Sequence, residues 1–165
     1  MFLEINAFGT VPCITHGDQK IGESSTILTY LCEAFPEQLQ SYYGFTLAQR
    51  TQIHQYLSWY QASYRPALNA IVILKFVQGL RGGEPVTKKA LEKAEKKMCD
   101  GFDFMENRLN KGNLYLCGQT LSIADILFFC ETTLIELYQF DISKWTHLRA
   151  WYDRILENQA IKVIF

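Results

Sequence analysis

Apolar and polar positions divide the chain into two regimes. Up to about Phe35 the apolar runs are short and separated by turn residues; beyond about Thr46 they are long and repeat with helical spacing. Val11 to Thr15 is a short apolar run suited to a strand, His16-Gly17-Asp18 is a turn, and Gln19 to Ile21 returns, so the pair predicts a β-hairpin. Gly22-Glu23-Ser24-Ser25 then precedes Ile27, Leu28, Tyr30, Leu31 and Ala34, the signature of a helix start followed by one apolar face. Pro36 to Gly44 lacks that periodicity and reads as a linker.

The rest predicts helix throughout. Leu47 to about Leu80 forms one long helix that Pro66 should kink, because proline removes an i→i−4 bond. Gly79, Gly82, Gly83 and Pro85 make a loop. Leu91, Ala94, Met98, Phe102, Met105 and Leu109 step by 3, 4, 4, 3 and 4, a single stripe facing a core. Lys111-Gly112-Asn113 ends that helix. In Leu121 to Ile126, Ser122 can cap a helix with Asp125 at its third position, and Leu121 and Ile126 stand where a hydrophobic staple would close. The helix that follows should run to about Tyr138, and a further one uses Leu148, Trp151 and Ile155.

Composition narrows the picture. A chain of 165 residues with 48% apolar and 20% charged residues can bury a core without disulfides or metal. A net charge of −1 gives no long-range attraction to nucleic acid or anionic membrane. Lys88, Lys89, Lys93, Lys96 and Lys97 alternate with Glu92 and Glu95, as on a solvated helix face. The cysteines, Cys13, Cys32, Cys99, Cys117 and Cys130, are odd in number and form neither C-x-x-C nor zinc spacing. They read as small buried hydrophobes in a reducing cytosol, with Cys13 the one to watch for its neighbourhood. No signal-peptide pattern is present at the N-terminus. The apolar run Ala70 to Val77 is broken by Lys75, and Leu121 to Phe140 carries Asp125, Glu131 and Glu136, so neither suits a membrane span. The expected location is cytoplasmic.

Two segments carry candidate chemistry. In Phe8 to Ile14, a cis Val11–Pro12 bond would turn the Val11 N–H and C=O outward, where a peptide-like ligand could pair with them as an added strand. A trans proline opening a strand is the alternative, and on this segment alone it is favoured, since about 5–6% of X–Pro bonds are cis. In Gly22-Glu23-Ser24-Ser25, the free N–H groups of a helix start favour a carboxylate, the Ser24 hydroxyl adds a donor, and Glu23 could accept from an ammonium. Together these groups would hold the zwitterionic end of an amino acid; a plain N-cap is the simpler reading. Tyr56, Tyr60 and Tyr64 share one helical face and read as a packed interface rather than a pocket lining. His16 and His54 show no partner and are assigned to a turn and a helix surface.

Taken together, the segments resemble glutathione transferases. The run FLEINAFGTVPCITHGDQKIGESSTILTYLCEAFP is similar to the second half of that family's glutathione-binding domain in its theta-class form. QYLSWYQASYRP and GQTLSIADI are similar to pieces of its helical domain, in matching order and spacing. The resemblance implies a mostly α fold. Residues 1–36 would form a partial thioredoxin-like hairpin and helix, 37–45 a linker, and 46–165 the all-α C-terminal bundle. It also implies that Val11, before cis Pro12, pairs with the cysteinyl part of glutathione. Glu23 and Ser24 would hold the γ-glutamyl group, and Arg65 would reach toward it, unless Arg65 serves an ordinary salt bridge. Ser122 and Asp125 would be a structural capping box. The implied activity is conjugation of glutathione, as co-substrate with no metal or other cofactor, to electrophiles by a theta-like enzyme.

The chain departs from the family in three ways. The β-α-β unit that carries the thiolate-stabilising residue is not in the sequence, Thr10 stands where theta-like sequences place a lysine, and no C-terminal extension follows the last helix. Weak or absent turnover is therefore expected, the alternative being a non-catalytic binding, dimerisation or scaffold protein. The strand from Val11 to Thr15 should have an open edge. That edge is expected to be covered in a homodimer or strand-paired oligomer, or else residues 1–22 are mobile.

Overall fold

The computed structural model describes residues 2–80, 82 and 85–162. It opens with one helical turn, α1 (Phe2–Ile5), that the apolar pattern did not predict. The hairpin follows as β1 (Cys13–His16) and β2 (Gln19–Gly22), antiparallel with Cys13 opposite Gly22 and His16 opposite Gln19. Its strand starts two residues later than expected, after Pro12, which has no N–H for a ladder. Gly17, at φ 57°, takes the first loop position, a conformation two-residue hairpins fill with glycine.

Helix α2 (Ser24–Ala34) packs beneath the hairpin. The segment expected to be a linker is instead helix α3 (Pro36–Tyr43). Pro36 begins it, where a missing N–H costs nothing, and Gly44 at φ 89° ends it. Leu39 and Tyr43 are four apart and both meet the core, a short period hidden between proline and glycine.

The long helix is helical from Leu47 to Leu80, but in pieces: α4 (Leu47–Trp59), a π turn at Tyr60–Tyr64, α5 (Arg65–Val72), a second π turn at Ile73–Val77, and α6 (Gln78–Leu80). The disturbance imposed by Pro66 therefore appears as a wide turn ahead of it, where the Arg65 N–H reaches back to the Tyr60 carbonyl. Thr46 and Gln49 form a capping box at the start of α4. Thr87 Oγ1 accepts the Ala90 N–H at 3.2 Å at the start of α7 (Lys88–Leu109).

The remaining helices are α8 (Ile123–Thr132), α9 (Leu134–Leu137), α10 (Thr146–Leu156) and α11 (Gln159–Lys162). The helix expected to reach Tyr138 ends at Thr132, and α9 follows as a separate turn.

The core lies among α4, α5, α7, α8 and α10. Ala94, Met98, Phe102, Met105 and Leu109 of α7 are buried as the stripe predicts. Phe128 sits at the centre, 4.6 Å between centroids from Tyr64 and stacked on Trp59 at 5.4 Å. Tyr60 and Tyr64 are buried and Tyr56 is half-buried, so this tyrosine face is a packed interface. Tyr64 donates to Thr132 Oγ1 at 2.6 Å, since that hydroxyl spends its own proton on the Phe128 carbonyl.

Candidate functional site

The Val11–Pro12 peptide bond is cis. Val11 is 76% exposed, and the ladder ends two residues on, at the Cys13–Gly22 pair. Pro12 and Glu23 are therefore the next residues beyond the same pair, on opposite strands. Cys13 itself is half-buried in β1. The Thr10 carbonyl accepts the Asn6 side-chain amide at 2.6 Å, which ties the loop before Pro12 to the residues after α1.

Glu23 sits at φ 64°, left-handed territory that a side chain enters only when its surroundings impose it. It occupies the N-cap of α2 without capping the helix, so the first-turn N–H groups have no side-chain acceptor. Ser24 is the first residue of the helix and is half-buried. The strand register and the helix start thus bring Val11, Pro12, Glu23 and Ser24 to one end of the hairpin.

Arg65 lies on the long helix, one turn past a residue that touches α2. Gln61 Nε2, in the π turn after α4, donates to Ser25 Oγ of α2 at 3.4 Å. A cleft of about 590 Å³ runs from there along both helices to Glu33 and His54. The lining order indicates that the two helices run antiparallel, and Arg65 follows Gln61 by four residues. The Arg65 side chain is 38% exposed, and its Nε lies 3.7 Å from Glu131 Oε2. Glu131, which sequence reasoning had not singled out, is 8% exposed and also accepts the Tyr60 hydroxyl at 2.8 Å. Burial pushes its carboxyl above the usual range, while Tyr60 and Arg65 pull it back.

His16 and His54 both have partners that the sequence had hidden. His16, at the end of β1 rather than in the turn, lies 2.8 Å from the Tyr30 hydroxyl and stacks on Phe35. His54 Nε2 lies 2.8 Å from the Tyr43 hydroxyl. Each contact spans elements whose packing no local spacing reveals.

Ser122 and Asp125 form the expected box. The Asp125 carboxylate accepts the Ser122 N–H at 3.0 Å and the Ser122 hydroxyl at 2.6 Å. It also takes the Leu116 N–H and the Trp151 indole, which ties α8 to the preceding loop and to α10. Among the described residues no group of three or more His, Cys, Asp and Glu gathers as for a metal, and no helix is long and apolar enough to cross a membrane.

A thioredoxin-type hairpin and helix packed on an all-α bundle define the class of fold. Residues 1–39 match the family model of the glutathione S-transferase N-terminal domain, and 61–159 that of the C-terminal domain. The chain is 33% identical over 166 residues to glutathione S-transferase F10 of Arabidopsis thaliana, covering 99% of this chain and 76% of that protein. It is 35% identical over 138 residues to glutathione S-transferase T3 of the same plant, covering 82% of this chain and 23% of that protein. The crystal structure of human glutathione transferase theta-2, in complex with glutathione and an unknown ligand, superposes with a TM-score of 0.85 at 26% identity, over 93% of this chain and 63% of that one. The chain belongs to the glutathione S-transferase family.

Proposed function

We propose that this chain binds glutathione as a theta-like member of its family, and that its own residues supply binding more than turnover. The observation that carries this reading is the cis Val11–Pro12 bond beside an uncapped helix start, with Glu23 held at φ 64°. Val11 offers a backbone N–H and C=O to the cysteinyl unit. The N–H groups and hydroxyl at the start of α2 receive the γ-glutamyl carboxylate, Glu23 accepts from its ammonium, and Arg65 adds positive charge nearby. The likeness to human theta-2, 29% identical over 155 residues, supports the theta-like assignment, while the 33% identity to F10 supports the family alone.

Conjugation uses the glutathione thiolate as nucleophile, and a thiol of pKa near 8.5 is mostly protonated at neutral pH. The groups assigned here meet the backbone, carboxylate and ammonium of the ligand, and none is assigned to the thiol. Thr10 offers no charge to the glycine carboxylate. The chain is therefore expected to bind weakly and to turn over slowly; a cytoplasmic homodimer is its expected setting.

Calorimetric titration with glutathione tests the binding. Ser24→Ala should weaken it by about 1.5–3 kcal/mol, the usual worth of a hydrogen bond to a charged group, and equal affinities would remove the γ-glutamyl assignment. In a parallel assay with a chromogenic electrophile, little conjugation is expected. Brisk turnover would mean that another group stabilises the thiolate, and Cys13→Ser is the first variant to examine.

A further inference from the structure

Glu131 is an expensive residue for its place. It lies in the last turn of α8, where the helix dipole disfavours an anion, and it is 8% exposed. No hydrogen bond from α8 itself explains it. Its contacts come from the long helix: the Tyr60 hydroxyl at 2.8 Å and the Arg65 Nε at 3.7 Å, both at Oε2.

Tyr60 and Arg65 are five residues apart, which in an α-helix places them about 140° apart around the axis. They could not then share one carboxylate oxygen. The π turn Tyr60–Tyr64 changes this: its wider winding and its i→i+5 bond, Arg65 N–H to Tyr60 C=O, swing Arg65 back to the Tyr60 side. The irregular turn therefore does something specific, presenting an aromatic hydroxyl and a guanidinium to the same buried acid. Arg65 remains 38% exposed, one turn beyond the Gln61 that touches Ser25.

We propose that Glu131 is a positioning residue: its Oε2, steadied by the Tyr60 hydroxyl, orients the exposed Arg65 guanidinium at the start of α2, where the carboxylate of an amino-acid head group is received. The inference rests on the glutathione-binding reading for the identity of that head group. The orientation of Arg65 itself does not depend on it.

Two measurements keep these apart. In the ligand-free protein, the Arg65 Nε–H resonance should shift and exchange faster in Glu131→Gln than in wild type; an unchanged signal overturns the proposal. If Glu131→Gln does not fold, Tyr60→Phe removes only the second partner of Oε2, and it should move the same signal or count against the proposal equally.

The second measurement is a glutathione titration of wild type, Glu131→Gln, Arg65→Gln and the double variant. Glu131→Gln should weaken binding about tenfold, and the double variant no more than Arg65→Gln alone, as for residues that act through one another. Equal affinity in Glu131→Gln, or additive losses, would reduce Glu131 to a structural tie and overturn the proposal. If wild type binds no glutathione while the Arg65 signal still depends on Glu131, the binding reading falls and the positioning of Arg65 stands.

Discussion

Asp125 shows how much one buried side chain can join. Two of its four hydrogen bonds, from the Ser122 backbone and hydroxyl, are local, and two, from Leu116 and the Trp151 indole, are not. Burial pushes its carboxyl above the ordinary range, and the donors partly oppose that. Asp125→Asn places an amide N–H against donors and orphans at least one of them. A loss of about 3 kcal/mol or more is expected, read from the urea midpoint with an unchanged slope; a loss under about 1 kcal/mol would mean the network relaxes easily. Ser122 and Asp125 were legible because a capping box has a fixed spacing. Trp151 was not, because its contact with Asp125 is made by the packing of α10 on α8.

Helix starts at the next scale follow the same division. Thr46, Thr87 and Ser122 each begin their helix with a hydroxyl residue in its own sequence. Helix α10 does not: Trp145 at its N-cap makes no side-chain capping bond. Its first N–H groups are met by Glu106 of α7, whose carboxylate accepts from His147 at 3.0 Å and Leu148 at 2.8 Å and lies 2.8 Å from His147 Nδ1. Partial burial pushes the Glu106 carboxyl up, but the Leu148 and His147 bonds outweigh it and the group lies below its ordinary value.

The sign of the pH effect follows from that direction. A carboxyl depressed in the folded state stabilises above its unfolded pKa of about 4.3, and that contribution fades as pH falls through the folded value. Glu106→Gln should cost about 1 kcal/mol at pH 7. In urea titrations the gap to wild type should close as pH falls below about 4; a gap independent of pH would mean the charge is not involved. Helix α3 belongs to this scale too. Proline and glycine are strong punctuation, yet here they mark the first and last turns of a helix rather than a linker.

Across the whole molecule, apolar side chains are unevenly covered. The bundle hides its aromatic centre, while Leu3 at 66%, Phe8 at 69% and Val11 at 76% stand exposed around the two-stranded hairpin, as Phe45, Leu47 and Leu80 do on the helical part. Exposed apolar groups beside an open strand edge favour association. The protein is expected to form dimers or larger species in light scattering at micromolar concentration, and Leu3→Lys to shift it toward monomer. A wild-type monomer at all concentrations would show that this face is tolerated bare.

Local patterns were enough to establish a hairpin followed by a helical bundle, the stripe on α7 and the capped start of α8, whereas the cis bond before Pro12 and the left-handed Glu23 came from the fold. The hairpin, the stripe and the cap depend on short-range geometry: periodicity, turn chemistry and cap spacing act within a few residues. The π turn ahead of Pro66, the sharing of Glu131 by Tyr60 and Arg65, the histidine–tyrosine pairs and the capping of α10 by Glu106 were left to the fold. Those depend on which helix lies against which, and a buried polar group takes whatever partner packing brings within about 3 Å, however far away it lies along the chain.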